Sequence, residues 1–253
     1  MLHLTDTPTG RPQPAAPPGT RRLRVAYCPA SLRAALAADL VRRAGERHHL
    51  LVAVFRHACD RPELPDPLRF NIHPPNGDGP DARVDVHITP DGHQWSGDRP
   101  ADASSDASAG ASEEQAADGP RILRTVPADA AAGTPEAEAW SAADPLALRL
   151  ALLAGPSDAP PGADVIAEAA VRLALLRADV ARFAESPSAA LAAAPVAEVH
   201  AAVDDDLDTA RALALTDALR ADPDVPPGAR FESLIHLDRT LGLDLAQDIG
   251  RLP

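Results

Sequence analysis

Lysine is absent from all 253 residues, and every one of the 24 basic side chains is an arginine. That absence excludes the phosphate-binding lysine of a Walker A loop, the strand lysine of a protein kinase, Schiff-base chemistry and a Ser-Lys dyad. A GC-rich coding bias toward Ala, Arg, Gly and Pro explains the composition without restoring that chemistry. Aromatics are scarce, at 3% of the chain against 45% hydrophobic residues. With alanine near a fifth of the chain, large apolar side chains come to about a quarter, enough for a modest core in one or two domains. The two cysteines, Cys28 and Cys59, are too few for a disulfide scaffold and suit a reducing cytoplasm. No signal peptide is expected, because Pro12, Pro14, Pro17 and Pro18 interrupt any early helix. No run approaches the roughly 20 apolar residues that a membrane span needs. The expectation is a soluble, cytoplasmic protein that does not engage a membrane.

What is present divides the chain. Residues 1–20 are rich in Pro, Thr and Gly and are expected to be disordered. Leu23 to Cys28 reads as a short strand, 31–47 as a helix with Leu32, Leu36, Leu40 and Val41 on one face, and Leu50 to Phe55 as a continuous apolar strand. Continuous apolar strands suit a parallel sheet covered on both faces, so 22–56 reads as a βαβ unit. A third strand is expected at 83–88, closed by the turn Pro90-Asp91-Gly92, and a fourth at 121–126. Residues 96–119 are almost wholly Asp, Ala, Ser, Gly and Glu and read as a flexible acidic insertion.

From Asp144 the texture turns helical. Asp144 is placed to cap a helix with Pro145 at its first position, where the missing N–H costs nothing. The next helix, 163–185, carries Ile166, Ala169, Leu173, Leu176, Val180 and Phe183 at alternating spacings of three and four. An acidic corner, Asp204-Asp205-Asp206, precedes a helix that Asp208 or Thr209 can cap, and a last helix runs over 228–243.

The segment Asp144-Pro145-Leu146-Ala147-Leu148-Arg149-Leu150 resembles the "DALR" helix of cysteinyl-tRNA synthetases and of the related cysteine ligases of mycothiol synthesis. Asp204-Asp205-Asp206-Leu207-Asp208-Thr209 is similar to that family's "DDLNTPxAL" segment, and Leu241-Gly242-Leu243 to its closing "LGL". The resemblance covers about 144–245, with Asp144, Leu148, Arg149, Asp205, Asp206, Leu207 and Thr209 as its motif residues. It implies a class I architecture: a truncated Rossmann-like α/β domain over 21–130, then an all-α helical bundle of anticodon-binding type over 144–253. The catalytic half departs from the pattern. Val25-Ala26-Tyr27-Cys28-Pro29 echoes the family's first strand, yet no HIGH sequence follows, and KMSKS is impossible without lysine. Such groups stabilise charge at the phosphates in the transition state, and losing one typically costs orders of magnitude in rate. No catalytic residue is therefore assigned, and the expectation is a pseudoenzyme.

Several residues are candidates for other chemistry. Cys28 and Arg33 are the nucleotide-site candidates, since they lie where the first strand meets the first helix. Cys28, His57 and Cys59 could form a zinc site with one of His73, His87 or His93, against the simpler reading of buried small residues. Asn76-Gly77-Asp78-Gly79 reads as a turn, and the acidic corner at Asp204 lacks the spacing of a calcium loop. His200 and His236 sit singly on helices and read as structural, and Arg149 as a structural ion pair or a solvated side chain with a packed stem.

Charge is unevenly spread. Residues 1–72 carry +5, 73–143 carry −9 and 144–253 carry −9, giving −13 in total. A helical half this acidic disfavours strong RNA binding. The leading expectation is a binding or regulatory module for tRNA or a protein partner, with no cofactor. An ATP-dependent ligase, with ATP or zinc and with Arg21, Arg22, Arg24 and Arg33 in place of the missing groups, is one alternative. An assembly protein using the 166–183 helix is the other.

Overall fold

The computed structural model describes residues 1–57, 67–79, 84–91, 120–155 and 159–251. Five parallel strands form its sheet: β3 (Arg22–Tyr27), β4 (Leu51–Arg56), β5 (Gly77–Asp78), β6 (Val86–Pro90) and β7 (Ile122–Val126), in the order β5-β4-β3-β6-β7. Helix α1 (Leu32–Arg47) links β3 to β4, as the apolar pattern requires. Leu23, Val25 and Tyr27 are buried on β3, with Val86 and Ile88 level with Val25 and Tyr27 on β6. Gly45 lets the helix approach the sheet, because a Cβ there would lie 2.7 Å from Val52 Cγ2.

The expected βαβ unit and the fourth strand are present. The third strand lies slightly later than expected, at Val86–Pro90. The segment read as a turn, Asn76 to Gly79, instead supplies the edge strand β5, where the Asn76 side-chain oxygen accepts from Val54 N at 2.8 Å. The acidic stretch 96–119 lies outside the described residues, as do Cys59 and His93.

One expectation is corrected at the N-terminus. Residues 1–20 are not without order: β1 (His3–Asp6) pairs antiparallel with β2 (Arg11–Pro14). Leu2 and Leu4 alternate into the core, while Pro12 and Pro14 sit on the outer strand, where a missing N–H breaks no ladder. The turn after β1 borders β7: Thr7 N donates to Leu123 O, Leu123 N to Asp6 Oδ1, and Thr125 N to Thr7 Oγ1. The hairpin thereby covers an edge that would otherwise present open backbone groups.

Six further helices follow: α2 (Pro135–Ala142), α3 (Pro145–Ala154), α4 (Ala163–Phe183), α5 (Ala193–Asp204), α6 (Thr209–Ala221) and α7 (Pro227–Leu241). The expected caps form. Asp144 Oδ1 accepts from Leu146 N and Ala147 N, and Asp208 Oδ1 from Arg211 N. Helix α3 packs on α4 and α6, α5 on α6, and α7 on α4. The apolar seam of α4 is buried inside the chain, and buried residues of the sheet and of the helices belong to one continuous core. No helix among the described residues is long and apolar enough to cross a membrane.

Candidate functional site at the reversal of strand order

An open parallel sheet binds ligands outside the C-terminal ends of its strands, at the point where strand order reverses. Here that point lies between β3 and β6, next to the N-terminus of α1. A helix N-terminus offers unpaired N–H groups and a partial positive charge to an anion. In this protein the chain fills that position itself. Asp129, three residues beyond β7, accepts from Leu32 N at 2.5 Å and from Arg33 N at 3.2 Å. The Ser31 hydroxyl bonds to the same carboxylate and its oxygen accepts from Ala34 N. Burial pushes the Asp129 carboxyl above its ordinary pKa, although the two N–H groups and the Arg33 guanidinium oppose that shift.

Arg33, a nucleotide-site candidate, is nearly buried and donates to Ala159 O at 2.6 Å. Its guanidinium therefore ties α1 to the segment before α4. Cys28 is 1% exposed and its N–H donates to Ile88 O. His87 on β6 is level with Ala26, two residues before Cys28, and meets His57, just past the end of β4, edge to face with ring centroids 5.0 Å apart. Thr89, two residues on from His87, is buried with its hydroxyl unpaired among the described residues. Cys59, the third proposed zinc ligand, lies outside the described residues, and among those described no three His, Cys, Asp or Glu side chains converge as a metal set.

The residues that carry the family resemblance lie at the junction of sheet and helices. Arg149 is fully buried. It donates to Asp39 Oδ2 at 2.9 Å, to Leu241 O at 2.8 Å, and to Phe70 O and Asn71 O at 2.9 and 3.2 Å. Of the two readings of Arg149, the structural ion pair is the one observed. Asp39, on α1, also accepts from Arg43 Nε and from His73 N, and bonds to His73 Nδ1. Burial would raise its pKa, but His73, Arg149 and Arg43 together hold it well below the ordinary carboxylate range. The carboxylate stays charged, and one polar cluster joins α1, α3 and the end of α7.

The acidic corner makes a second junction. Asp206 Oδ1 accepts from Thr5 N and from Arg124, its backbone N donates to His3 O, and Asp205 bridges His3. Leu207 is buried, and the Thr209 hydroxyl donates to Leu153 O. Asp204 accepts from Arg47 and bonds to His48. His200 and His236, read as isolated, instead face each other across α5 and α7 with ring centroids 5.4 Å apart.

Burial, reinforced by Arg47 and His236, pushes the His200 pKa down to about 4. A base with a lowered folded pKa loses stability as pH falls from its unfolded value, 6.5, through 4, because only the unfolded chain takes up the proton there. His48 adds to this repulsion and Asp204 opposes it. The raised carboxyls Asp129 and Asp238 act in the opposite direction. A direct comparison isolates the histidine: thermal melts of wild type and His200→Gln at pH 7 and 5 should show a larger pH-dependent loss in the wild type. Parallel losses would remove His200 from the account.

Fold and site together define the class, a parallel α/β sheet welded to helices by a buried arginine–aspartate cluster, with its anion position closed by its own carboxylate. No family model matches the chain, and no curated protein matches it.

Proposed function

We propose that this protein is a catalytically degenerate, cysteinyl-tRNA synthetase-like module that acts by binding a partner rather than by adenylation. The observation that carries this reading is Asp129, whose carboxylate takes the Leu32 and Arg33 N–H groups that a phosphate would need. The absence of lysine supports it, since charge at a transferring phosphate is stabilised by such cations. The −9 charge of residues 144–253 favours a protein partner over tRNA. In this view the motif residues Asp205, Asp206, Leu207 and Thr209 survive because they hold the fold together.

Calorimetric titration with ATP and AMP should show no binding below about 1 mM, and pyrophosphate release with cysteine should stay at background. A gel shift with total tRNA at low salt should show no complex. Tight ATP binding with cysteine-dependent pyrophosphate release would replace this reading with the ligase one, and a tRNA shift alone would replace the protein partner with RNA. Asp129→Ala leaves two helix-terminal donors open and should cost about 1–2 kcal/mol. Inorganic phosphate should raise the melting temperature of that variant more than that of the wild type. Equal shifts would mean that Asp129 does not occupy an anion position.

A further inference from the structure

The seam of α4 from Ile166 to Phe183 is consumed inside the chain, so any second chain must use another face. The opposite face is open. Asp164, Glu168, Val171, Leu175, Ala178 and Arg182 recur along it at spacings of four and three, and all six are exposed. Val171 and Leu175 are 62% and 56% exposed, although α4 holds most of its other large apolar residues inside. They border a groove of about 460 Å³ against α6, with Leu176 in its lining and the Arg172–Asp217 ion pair at its rim.

The chemistry along this face has a direction. It is acidic at Asp164 and Glu168, apolar at the centre and basic at Arg182. A two-fold axis level with Leu173 sets Val171 opposite the partner's Leu175, Glu168 opposite the partner's Ala178, and Asp164 opposite the partner's Arg182. The apolar centre and the charged ends are then matched by their complements, as a self-complementary interface demands, while Glu168 faces the small side chain of Ala178. A parallel pairing in register would set Asp164 on Asp164 and Arg182 on Arg182, and like charges so placed repel. We propose that a second copy of this chain docks antiparallel on the outer face of α4, with the two Val171–Leu175 pairs at its centre and an Asp164–Arg182 pair at each end. The 21-residue helix is about 30 Å long, so the contact is that of a weak, concentration-dependent dimer.

Light scattering on the full chain, from low micromolar to several hundred micromolar, tests this. At low salt the mass should rise with concentration from 26.3 kDa toward twice that, and molar salt should weaken the rise by screening the end pairs. Val171→Glu with Leu175→Glu should return the protein to a monomer. Asp164→Arg and Arg182→Asp should each weaken association about three- to tenfold, and the two together should restore it. Arg182 also donates to Asp179 at 2.6 Å, so circular dichroism and melting temperature are recorded for each variant. A monomer at every concentration would overturn the proposal and leave this face to an unrelated protein. A dimer indifferent to the two glutamates would place the interface elsewhere. Weakening by both single swaps without recovery in the double would reject the antiparallel register.

Discussion

Replacing Arg149 with methionine should lower the stability of the whole chain by about 3–5 kcal/mol, the usual cost of breaking a buried ion pair from one side. The volume lost is small, so the effect is not one of packing. Methionine would leave the carbonyls of Leu241 and Phe70 without their arginine donor, take one of two donors from the Asn71 carbonyl, which keeps Arg43, and remove the Asp39 partner at 2.9 Å. Arg43 and His73 would still contact Asp39, which keeps the loss within that range. Arg149→Lys should recover only part of it, because an ammonium cannot span three carbonyls and a carboxylate as a planar guanidinium does. The check is urea denaturation followed by circular dichroism. Since the cluster ties α1 to α3 and α7, sheet and helices should unfold in a single transition in the wild type. A change below about 1 kcal/mol in Arg149→Met would show that the cluster does not hold the two parts together. Acid probes the same site. Asp39 contributes fully above its ordinary pKa of 3.8, and that contribution fades as pH falls further through its lower folded value.

Gly228→Ala is the other large effect, at about 3 kcal/mol. Gly228 lies in the first turn of α7, and a Cβ there would overlap the carbonyl oxygen of Pro187 and stand 3.1 Å from its carbon. Backbone cannot step aside as a flexible side chain can, so α7 or the chain around Pro187 must shift. Gly77→Ala provides the control, with nothing within 4 Å of the added carbon and no positive φ, and should stay within about 0.5 kcal/mol of wild type. Equal melting temperatures for the two variants would refute the argument from close approach.

Local signals placed most elements. The alternation of apolar residues and the caps Asp144 and Asp208 are short-range chemistry, and each of these caps forms the hydrogen bonds expected of it. The α4 seam was legible for the same reason, since a three-and-four spacing needs no knowledge of the partner helix. The N-terminal hairpin was not legible. Its prolines read as breakers, and only the neighbouring β7 shows that Pro12 and Pro14 fall on an outer strand. The edge strand β5 was missed because a two-residue strand has no period. Asp129 carried no signal at all, being one acid in an Ala- and Pro-rich stretch until the sheet order brings it to α1. Nor could spacing show that His200 faces His236, because α6 lies between α5 and α7 in the chain and only the tertiary fold brings them together.

By itself, the sequence determined that no lysine chemistry is available, that β3, α1 and β4 form a parallel βαβ unit, and where most helices begin. These are properties of residue type and of spacing within a few turns. The tertiary structure decided that a carboxylate closes the anion position, that Arg149 and Asp39 share one buried cluster, and which face of α4 stays open. Each of those joins residues far apart in the chain, 110 positions for Asp39 and Arg149. Such contacts are set by sheet order and helix packing, which local residue patterns do not encode.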